Sequence, residues 1–111
     1  MDPRVQQAID LLSEDLSRNV DIEALATSVN LSASRLRHLF KDETGLTPAQ
    51  YLKRLRLERA RELIDGSFLR LKELMPRVGI SDESHFVRDF KKKHGLPPIK
   101  YRHRHRRRRR Q

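Results

Sequence analysis

The chain has 111 residues, which allows one small domain or two very small lobes, and its 5% aromatic content argues against a large aromatic-lined ligand cavity. It contains no cysteine, which excludes disulfides, cysteine-ligated zinc, iron–sulfur clusters and thiol catalysis. The formal net charge is +10, but seven positive charges are arginines within residues 102–111, so residues 1–101 carry only +3. Because that surplus is small, the placement of the charges must decide what they do.

Apolar residues recur at helical spacing from the start of the chain. Asp2 and Pro3 are suited to cap and open a first helix, which we expect to end near Asn19. Asp21 is suited to cap a second helix, and Asn30 can end that helix in the left-handed conformation. The apolar stripes of these two helices are Val5, Ala8, Ile9, Leu12 and Leu16 in the first and Ile22, Leu25, Ala26 and Val29 in the second.

Two further helices follow in the first half. Ser32 is expected to cap a helix over residues 33–43, which Gly45 would stop. Residues 47–50, Thr-Pro-Ala-Gln, form a capping box with proline at the first helical position. The helix that they open is expected to run to about Asp65, as a rod of roughly 25 Å.

The second half of the chain repeats the first. An offset of 49 residues superposes Leu25, Val29, Leu31 and Ser32 on Leu74, Val78, Ile80 and Ser81, and an offset of 50 superposes Ser34, Leu36, Phe40, Lys41, Gly45, Leu46, Pro48 and Tyr51 on Ser84, Phe86, Phe90, Lys91, Gly95, Leu96, Pro98 and Tyr101. The change of offset predicts one inserted residue after the cap. The chain therefore holds two copies of a helix, a short turn and a second helix, joined by the rod.

Each copy has the layout of a helix-turn-helix whose second helix carries a polar outer face. The positions not needed for packing are Ser34, Arg35, Arg37, His38 and Lys41 in the first copy and Ser84, His85, Val87, Arg88, Lys91 and Lys92 in the second. Such a face suits a DNA groove, whose floor offers hydrogen-bond acceptors and whose walls are phosphates. A plain helical hairpin with a solvated charged face is the alternative.

Residues 51–64 and 78–102 resemble the AraC/XylS family of bacterial transcription regulators. The glycines, the pair Phe86 and Phe90, and the Pro-x-x-Tyr-Arg ending match the family in order and spacing, and the resemblance covers residues 3–102.

The resemblance implies an all-α fold of seven helices. Two helix-turn-helix lobes, residues 1–50 and 66–102, would be joined by a long central helix over residues 48–65. One monomer would then place recognition helices over residues 33–43 and 82–93 in successive major grooves, about 34 Å apart.

The resemblance also implies which residues read bases, position by position. They are Ser34, Arg37, His38 and Lys41 in the first copy and Ser84, Val87, Arg88 and Lys91 in the second. Arg37 and Arg88 are suited to read guanine, while Val87 stands where a small polar residue is more usual and either meets a thymine methyl or reads nothing. We expect Ser32 and Ser81 to cap helices whose N-termini face phosphate. Further phosphate contacts are expected from Arg35, His85 and Lys92.

The second copy departs from the family pattern before its recognition helix. Met75 stands where the family usually has a small residue, as the first copy has with Ala26. Pro76 lies within a helix expected over about residues 71–78, where an interior proline costs ~3 kcal/mol. That helix is therefore expected to start later or to be kinked. Pro97 also replaces the capping threonine of the first copy.

Residues 103–111 contain only arginine, histidine and a final glutamine. With no apolar side chain to bury, this segment is expected to be a disordered basic tail, either a natural arm or a vector remnant.

The main functional hypothesis is sequence-specific binding of double-stranded DNA in transcription regulation. The resemblance suggests activation through RNA polymerase, although the residues do not distinguish an activator from a repressor. One alternative is a non-specific nucleic-acid binder driven by the arginine-rich tail, and another is a helical protein–protein module.

No enzyme activity, cofactor or metal site is expected. The chain carries no paired carboxylates, activated nucleophile or glycine-rich phosphate loop. His38 and His85 fall in different lobes, and His103 with His105 would hold a metal only weakly. No small-molecule effector is expected to bind this segment, which is either a stand-alone regulator or the C-terminal part of a longer one. Without a membrane-spanning run or a signal peptide at Met1–Arg4, we expect a cytoplasmic protein and no membrane partner.

Overall fold

A computed structural model describes residues 1–110, with side chains through residue 107. The helices are α1 (Pro3–Glu14), α2 (Ile22–Ser28), α3 (Ala33–Thr44), α4 (Pro48–Gly66), α5 (Leu71–Arg77), α6 (Glu83–His94) and α7 (Pro98–Arg110). No strand occurs in this described part, which confirms the predicted all-α class of seven helices. The chain forms two compact units, Met1–Leu55 and Arg56–Gln111, that meet in sequence within α4.

The first unit buries one face of each of its helices. Its buried residues are Val5, Ala8, Ile9, Leu12, Leu25, Ala26, Val29, Ala33, Leu36, Phe40 and Leu52. Phe40 also meets the ring of Tyr51 edge-on, with centroids 5.3 Å apart. The stripes predicted for the first two helices therefore form this core, since helical periodicity brings them to one side.

The predicted caps of the first unit are confirmed. Asp2, Asp21 and Ser32 accept hydrogen bonds at the N-termini of α1, α2 and α3, and Asn30 and Gly45 adopt left-handed backbone with φ of 61° and 78°. In the capping box of α4, the backbone N of Gln50 donates to Thr47 Oγ1 at 3.2 Å, and the backbone N of Thr47 donates to Gln50 Oε1 at 3.0 Å.

Helix α1 is shorter than the sequence predicts. It ends at Glu14 and not near Asn19. The carboxylate of Asp15 accepts hydrogen bonds from the backbone N and the hydroxyl of Ser17, at 3.0 and 2.5 Å. This local turn competes with continued helix, because it offers the backbone another partner. Leu16 nevertheless packs against the core.

The second unit builds an equivalent core of its own. Its buried residues are Ala60, Ile64, Leu74, Met75, Val78, Phe86, Phe90 and Tyr101. Met75 is 6% exposed and occupies the place that Ala26, 1% exposed, has in the first unit. The bulkier side chain is therefore accommodated within the core.

Helix α5 begins at Leu71 and contains Pro76 in its last turn. The sequence left open a later start or a kink for this helix, and the later start is wrong. The proline lacks a donor for the carbonyl of Lys72, but α5 still closes because the backbone N of Val78 donates to the carbonyls of Leu74 and Met75, at 3.3 and 3.2 Å.

The cap of α6 differs from the prediction. Asp82, and not Ser81, is the N-cap, since its Oδ1 accepts from the backbone N of His85 at 2.9 Å. Asp82 is therefore the counterpart of Ser32, and the inserted residue is Ser81, which lies before the cap and not after it. The sequence pattern failed here because serine and aspartate are equally good N-caps.

The arginine-rich segment differs most from expectation. Residues 103–110 continue α7 as helix, although disorder was predicted for them, and the remaining residue of that prediction, Gln111, lies outside the described residues. The segment is held by side-chain contacts to the end of α4 and the loop after it. Buried Arg102 donates from Nε to the carbonyl of Ile64 at 2.8 Å, and Arg106 donates to the carbonyl of Ser67. These arginines satisfy carbonyls that a helix end and its loop leave unpaired.

Across residues 1–110, no helix has the length and apolar character needed to cross a bilayer.

Candidate nucleic-acid interface

Helix α3 presents the predicted base-reading side chains on one exposed face. Ser34, Arg37, His38 and Lys41 are all exposed. Their spacing of three, four and seven residues places them on one side of the helix. Leu36 and Phe40, both fully buried, point to the opposite side. Burial of these two side chains therefore fixes the outward direction of the other four.

Helix α6 repeats this arrangement in the second unit. Ser84, Arg88 and Lys91 are exposed, and Val87 is half-buried. The inward face is formed by Phe86 and Phe90, whose rings meet edge-on with centroids 5.9 Å apart. Val87 therefore offers only part of its side chain to a ligand.

The N-termini of α3 and α6 differ in charge. At α3, Ser32 Oγ accepts from the backbone N of Arg35 at 3.1 Å, so the cap is neutral. At α6 the cap is Asp82, followed by Glu83. Asp82 Oδ2 also lies 3.1 Å from Nδ1 of His85. Two carboxylates at this terminus oppose an anion there, so the N-terminus of α6 favours phosphate less than the neutral N-terminus of α3 does.

Positive charge accumulates instead at the C-terminal end of α6. Lys91, Lys92 and Lys93 are exposed in the last turn, and Gly95 ends the helix with φ of 85°. Cations at this end complement the helix dipole. Their three ammonium groups are therefore available at the surface at the end of α6.

His94 belongs to an aromatic stack that the sequence reading missed. Its ring lies 4.5 Å from the centroid of Phe90 and 5.6 Å from that of Tyr101. Burial lowers the pKa of His94, and the positive charge of Lys93 lowers it further, while the carboxylate of Glu58 raises it. The corresponding residue of the first unit is threonine, so the repeat itself gave no sign of an aromatic position.

A hydrogen-bonded network ties α7 to α4 in the second unit. Arg61 donates to Glu58 Oε1 at 2.6 Å, which holds the pKa of that carboxyl below its usual range. Hydrogen bonds to Glu58 and Tyr101 raise the pKa of Arg61, so its guanidinium stays charged. Tyr101 in turn meets the ring of Phe90 edge-on at 5.2 Å. This network orients a residue that packs against the recognition helix.

The remaining predicted phosphate-contact residues lie at the surface. Arg35, Ser81 and Lys92 are exposed. His103 is exposed, whereas His105 stacks on Tyr101 with centroids 3.9 Å apart, so the two histidines have different surroundings. Within the described residues, no three histidine or acidic side chains are grouped as metal ligands would be.

Comparison with known proteins assigns the family. A family model described as a helix-turn-helix domain matches residues 25–104. The arabinose operon regulatory protein of Escherichia coli is 34% identical over 103 residues, which cover 92% of this chain and 35% of that protein. The chain belongs to the AraC/XylS family. The transcriptional activator RhaS of Salmonella schwarzengrund is 36% identical over 97 residues, which cover 87% of this AraC/XylS chain and 35% of RhaS.

Solved structures of DNA-binding and regulatory proteins share the fold. The DNA-binding domain of the global transcriptional factor AdpA, solved with a target DNA, has a TM-score of 0.87 at 27% identity and covers 97% of both chains. An AraC-type regulator from Chromobacterium violaceum has a TM-score of 0.85 at 25% identity, covering 93% of this chain and 92% of that one. The chain spans about a quarter to a third of the length of the curated relatives it matches.

Proposed function

We propose that this AraC/XylS domain binds double-stranded DNA sequence-specifically, with α3 and α6 as recognition helices in successive major grooves. The observation that carries the proposal is the duplicated face: four positions of α3 are exposed opposite a phenylalanine-containing core, and so are three of the corresponding four positions of α6, with Val87 half-buried. The AdpA domain, which was solved with a target DNA, supports it.

The base-reading roles follow from side-chain chemistry. Arg37 and Arg88 each carry a planar donor pair that matches O6 and N7 of guanine. Lys41 and Lys91 lie one turn further along the same faces and donate to acceptors of the neighbouring base pair. Val87 offers a methyl contact to thymine. Ser34, His38 and Ser84 complete the two faces as donors or acceptors.

The phosphate contacts hold the two helices in register. We assign them to Ser32, Arg35, Lys92, His85 and Ser81. Ser81 acts in this scheme through its own exposed hydroxyl, since Asp82 is the cap. The exposed ring of His85 lies beside Asp82, with Nδ1 3.1 Å from Oδ2 of that carboxylate, and contacts the phosphate from there.

The regulatory output is proposed from the relatives. The lactose operon protein of Staphylococcus xylosus and RhaS are both named as activators. We propose that this chain likewise acts on transcription in the bacterial cytoplasm, through contact with RNA polymerase, and that a small-molecule effector binds outside this segment.

A non-specific nucleic-acid binder is the second candidate. It is favoured by one observation, the exposed side chains of Arg104 and Arg107 in the extended α7. Such a protein would bind through counterion release alone and would show no preference among sequences.

The test is selection of binding sites from random duplex DNA by the full chain, followed by affinity measurements on the winning and scrambled sequences at several salt concentrations. Truncation after residue 101 would remove the bond from Arg102 to Ile64, so the full chain is the appropriate protein. Two enriched blocks about one helical turn apart are expected. A single block would contradict a reading role for one helix, and no enrichment would leave the non-specific binder.

A further inference from the structure

The extended α7 has two chemically different faces. Tyr101, Arg102, His105 and Arg106 point toward the second unit, at spacings of one, three and four residues. Lys100, Arg104 and Arg107 are exposed and lie on the opposite side, since they are separated by four and three residues. The segment is therefore a built element with an inner and an outer face.

The inner face anchors the helix. Beyond its hydrogen bond to Ser67, Arg106 places its guanidinium 4.1 Å from the ring centroid of Phe68. Phe68 is 87% exposed, so this cation–π contact lies at the surface. Arg102 and Arg106, one turn apart, bond to residues outside α7, and His105 stacks on Tyr101 within it. These contacts keep α7 helical where its composition alone would not.

The outer face is a cationic stripe, defined here as Lys100, Arg104 and Arg107. None of the three is ion-paired with another described residue, and residues 98–111 contain no acidic side chain. Like charges at this spacing repel one another and weaken a helix. Binding of a polyanion to the stripe would therefore relieve the repulsion among its three positive charges.

The dimensions of the stripe match a DNA strand. It extends over ~10 Å of helix, a length along which one strand presents about three phosphates. Helix α7 packs against α6 within the same unit, through the edge-on contact of Tyr101 and Phe90. The outer face carries no apolar stripe of the kind that a membrane-surface helix needs, so DNA is the fitting polyanion.

We propose that Lys100, Arg104 and Arg107 form a third, sequence-independent contact to the phosphates that flank the half-site read by α6. This inference rests on the proposed function. It assigns the arginine-rich segment a fixed place in the complex, in contrast to a loose tail that binds any nearby phosphate.

The test replaces the stripe and compares it with an equal change of charge elsewhere. The stripe variant is Lys100→Gln with Arg104→Gln and Arg107→Gln. The matched control is Arg4→Gln with Arg59→Gln and Arg70→Gln, three exposed arginines that are each paired with a carboxylate. Affinity is measured for the selected site and for scrambled DNA against salt concentration.

The stripe variant is expected to lower affinity for both DNAs about equally and to make the log–log salt slope shallower by about 2 to 3. The control is expected to change the slope by less than 1. Removing the flanking base pairs outside the half-site read by α6 should lower the affinity of the wild type and leave the affinity of the stripe variant unchanged. Equal slopes for wild type and stripe variant, or equal losses in stripe and control variants, would overturn the inference.

Two further arms separate the possible failures. Arg104→Lys with Arg107→Lys retains the charges and should retain the slope, while circular dichroism reports whether each variant keeps its helices. If the wild type shows no preference for the selected site, the proposed function fails. If that preference stands but the stripe variant binds DNA as the wild type does, only the inference fails, and an acidic protein surface becomes the better partner.

Discussion

At the scale of single residues, two side chains of the same type on one helix have different roles when they point in different directions. Arg35 and Arg37 are both exposed on α3, two positions apart. Arg37 lies three residues after Ser34 and four before Lys41, whereas Arg35 points in a different direction from Arg37, because two residues correspond to more than half a turn. The two arginines are therefore expected to contact different parts of DNA.

Arg37→Ala is expected to reduce discrimination at one or two base pairs by about 1–3 kcal/mol, since a bidentate contact to guanine is lost. Arg35→Ala is the matched control, and it should weaken all sequences about equally and reduce the salt slope by about 1. Arg88→Ala and Lys92→Ala form the corresponding pair on α6. Affinities for single-base variants of the selected site provide the measurement. An equal loss on specific and random DNA from Arg37→Ala or Arg88→Ala would contradict its base-reading role.

His94 makes stability depend on pH. Its pKa is lowered in the folded state, chiefly by burial, so the unfolded chain binds the proton more readily. The contribution to stability is therefore complete above the ordinary histidine pKa of about 6.5 and is lost as the pH falls through the lower folded value.

The free energy of unfolding should accordingly decrease between pH 7 and pH 5, as measured by denaturant titration at each pH. His94→Thr, which introduces the residue found at position 44, should flatten this dependence. His103→Thr changes an exposed histidine and should leave it intact. A pH dependence that survives in the His94 variant would assign the effect to another group.

At the scale of elements, α2 and α5 occupy equivalent places with different chemistry. Thr27 of α2 corresponds to Pro76 of α5, and both positions are exposed. In each helix the last residues bond in the same way, with Val29 and Val78 donating to Ala26 and Met75. The proline therefore removes one donor without changing how the helix ends.

Pro76→Ala is expected to raise the free energy of unfolding by about 1–2 kcal/mol. The change restores a donor to the carbonyl of Lys72 and removes the steric clash of the ring, and these gains are partly offset because the unfolded chain becomes more flexible. Thr27→Pro should lower it by about 3 kcal/mol. Thr27→Ala controls for the hydroxyl, which donates to the carbonyl of Glu23 at 2.9 Å. No gain from Pro76→Ala would mean that the ring packs favourably where it is.

At the scale of the whole molecule, each unit has its own hydrophobic core. A substitution that destabilises one core should therefore promote local unfolding of its own unit first. Arg102 offers a clean test, since it is 7% exposed and closes the end of α4 from α7.

Arg102→Gln is expected to destabilise the second unit by about 1–3 kcal/mol, because the carbonyl of Ile64 loses its partner. Amide hydrogen exchange should show lower protection for Phe86 and Phe90 and unchanged protection for Leu36 and Phe40. Arg104→Gln alters an exposed neighbour and should change neither set by more than about 0.5 kcal/mol. Equal loss of protection in both units would show that the chain unfolds as one body.

The candidate site was predictable in its orientation. Apolar residues every three or four positions decide which face of α3 and of α6 is buried, and the remaining positions must then face outward. The repeat located both helices, and the caps at Ser32 and Thr47 with the turns at Asn30 and Gly45 set their boundaries in the first unit. Contact of these faces with DNA stays a prediction.

What the sequence by itself determined is local: helix periodicity, capping groups, left-handed turns and the duplication that relates the two units. These depend on residues within a few positions of one another, so a linear pattern can carry them.

What only the tertiary structure decided involves partners far apart in the chain. The helical state of residues 103–110 depends on bonds from Arg102 and Arg106 to carbonyls 38 and 39 residues earlier. The environment of His94 likewise depends on Tyr101 and Glu58, which other helices supply. Composition alone predicted disorder for the arginine-rich segment because the segment has no apolar side chains to bury. Composition does not show that the carbonyls of Ile64 and Ser67 and the ring of Phe68 are available as partners for its arginines.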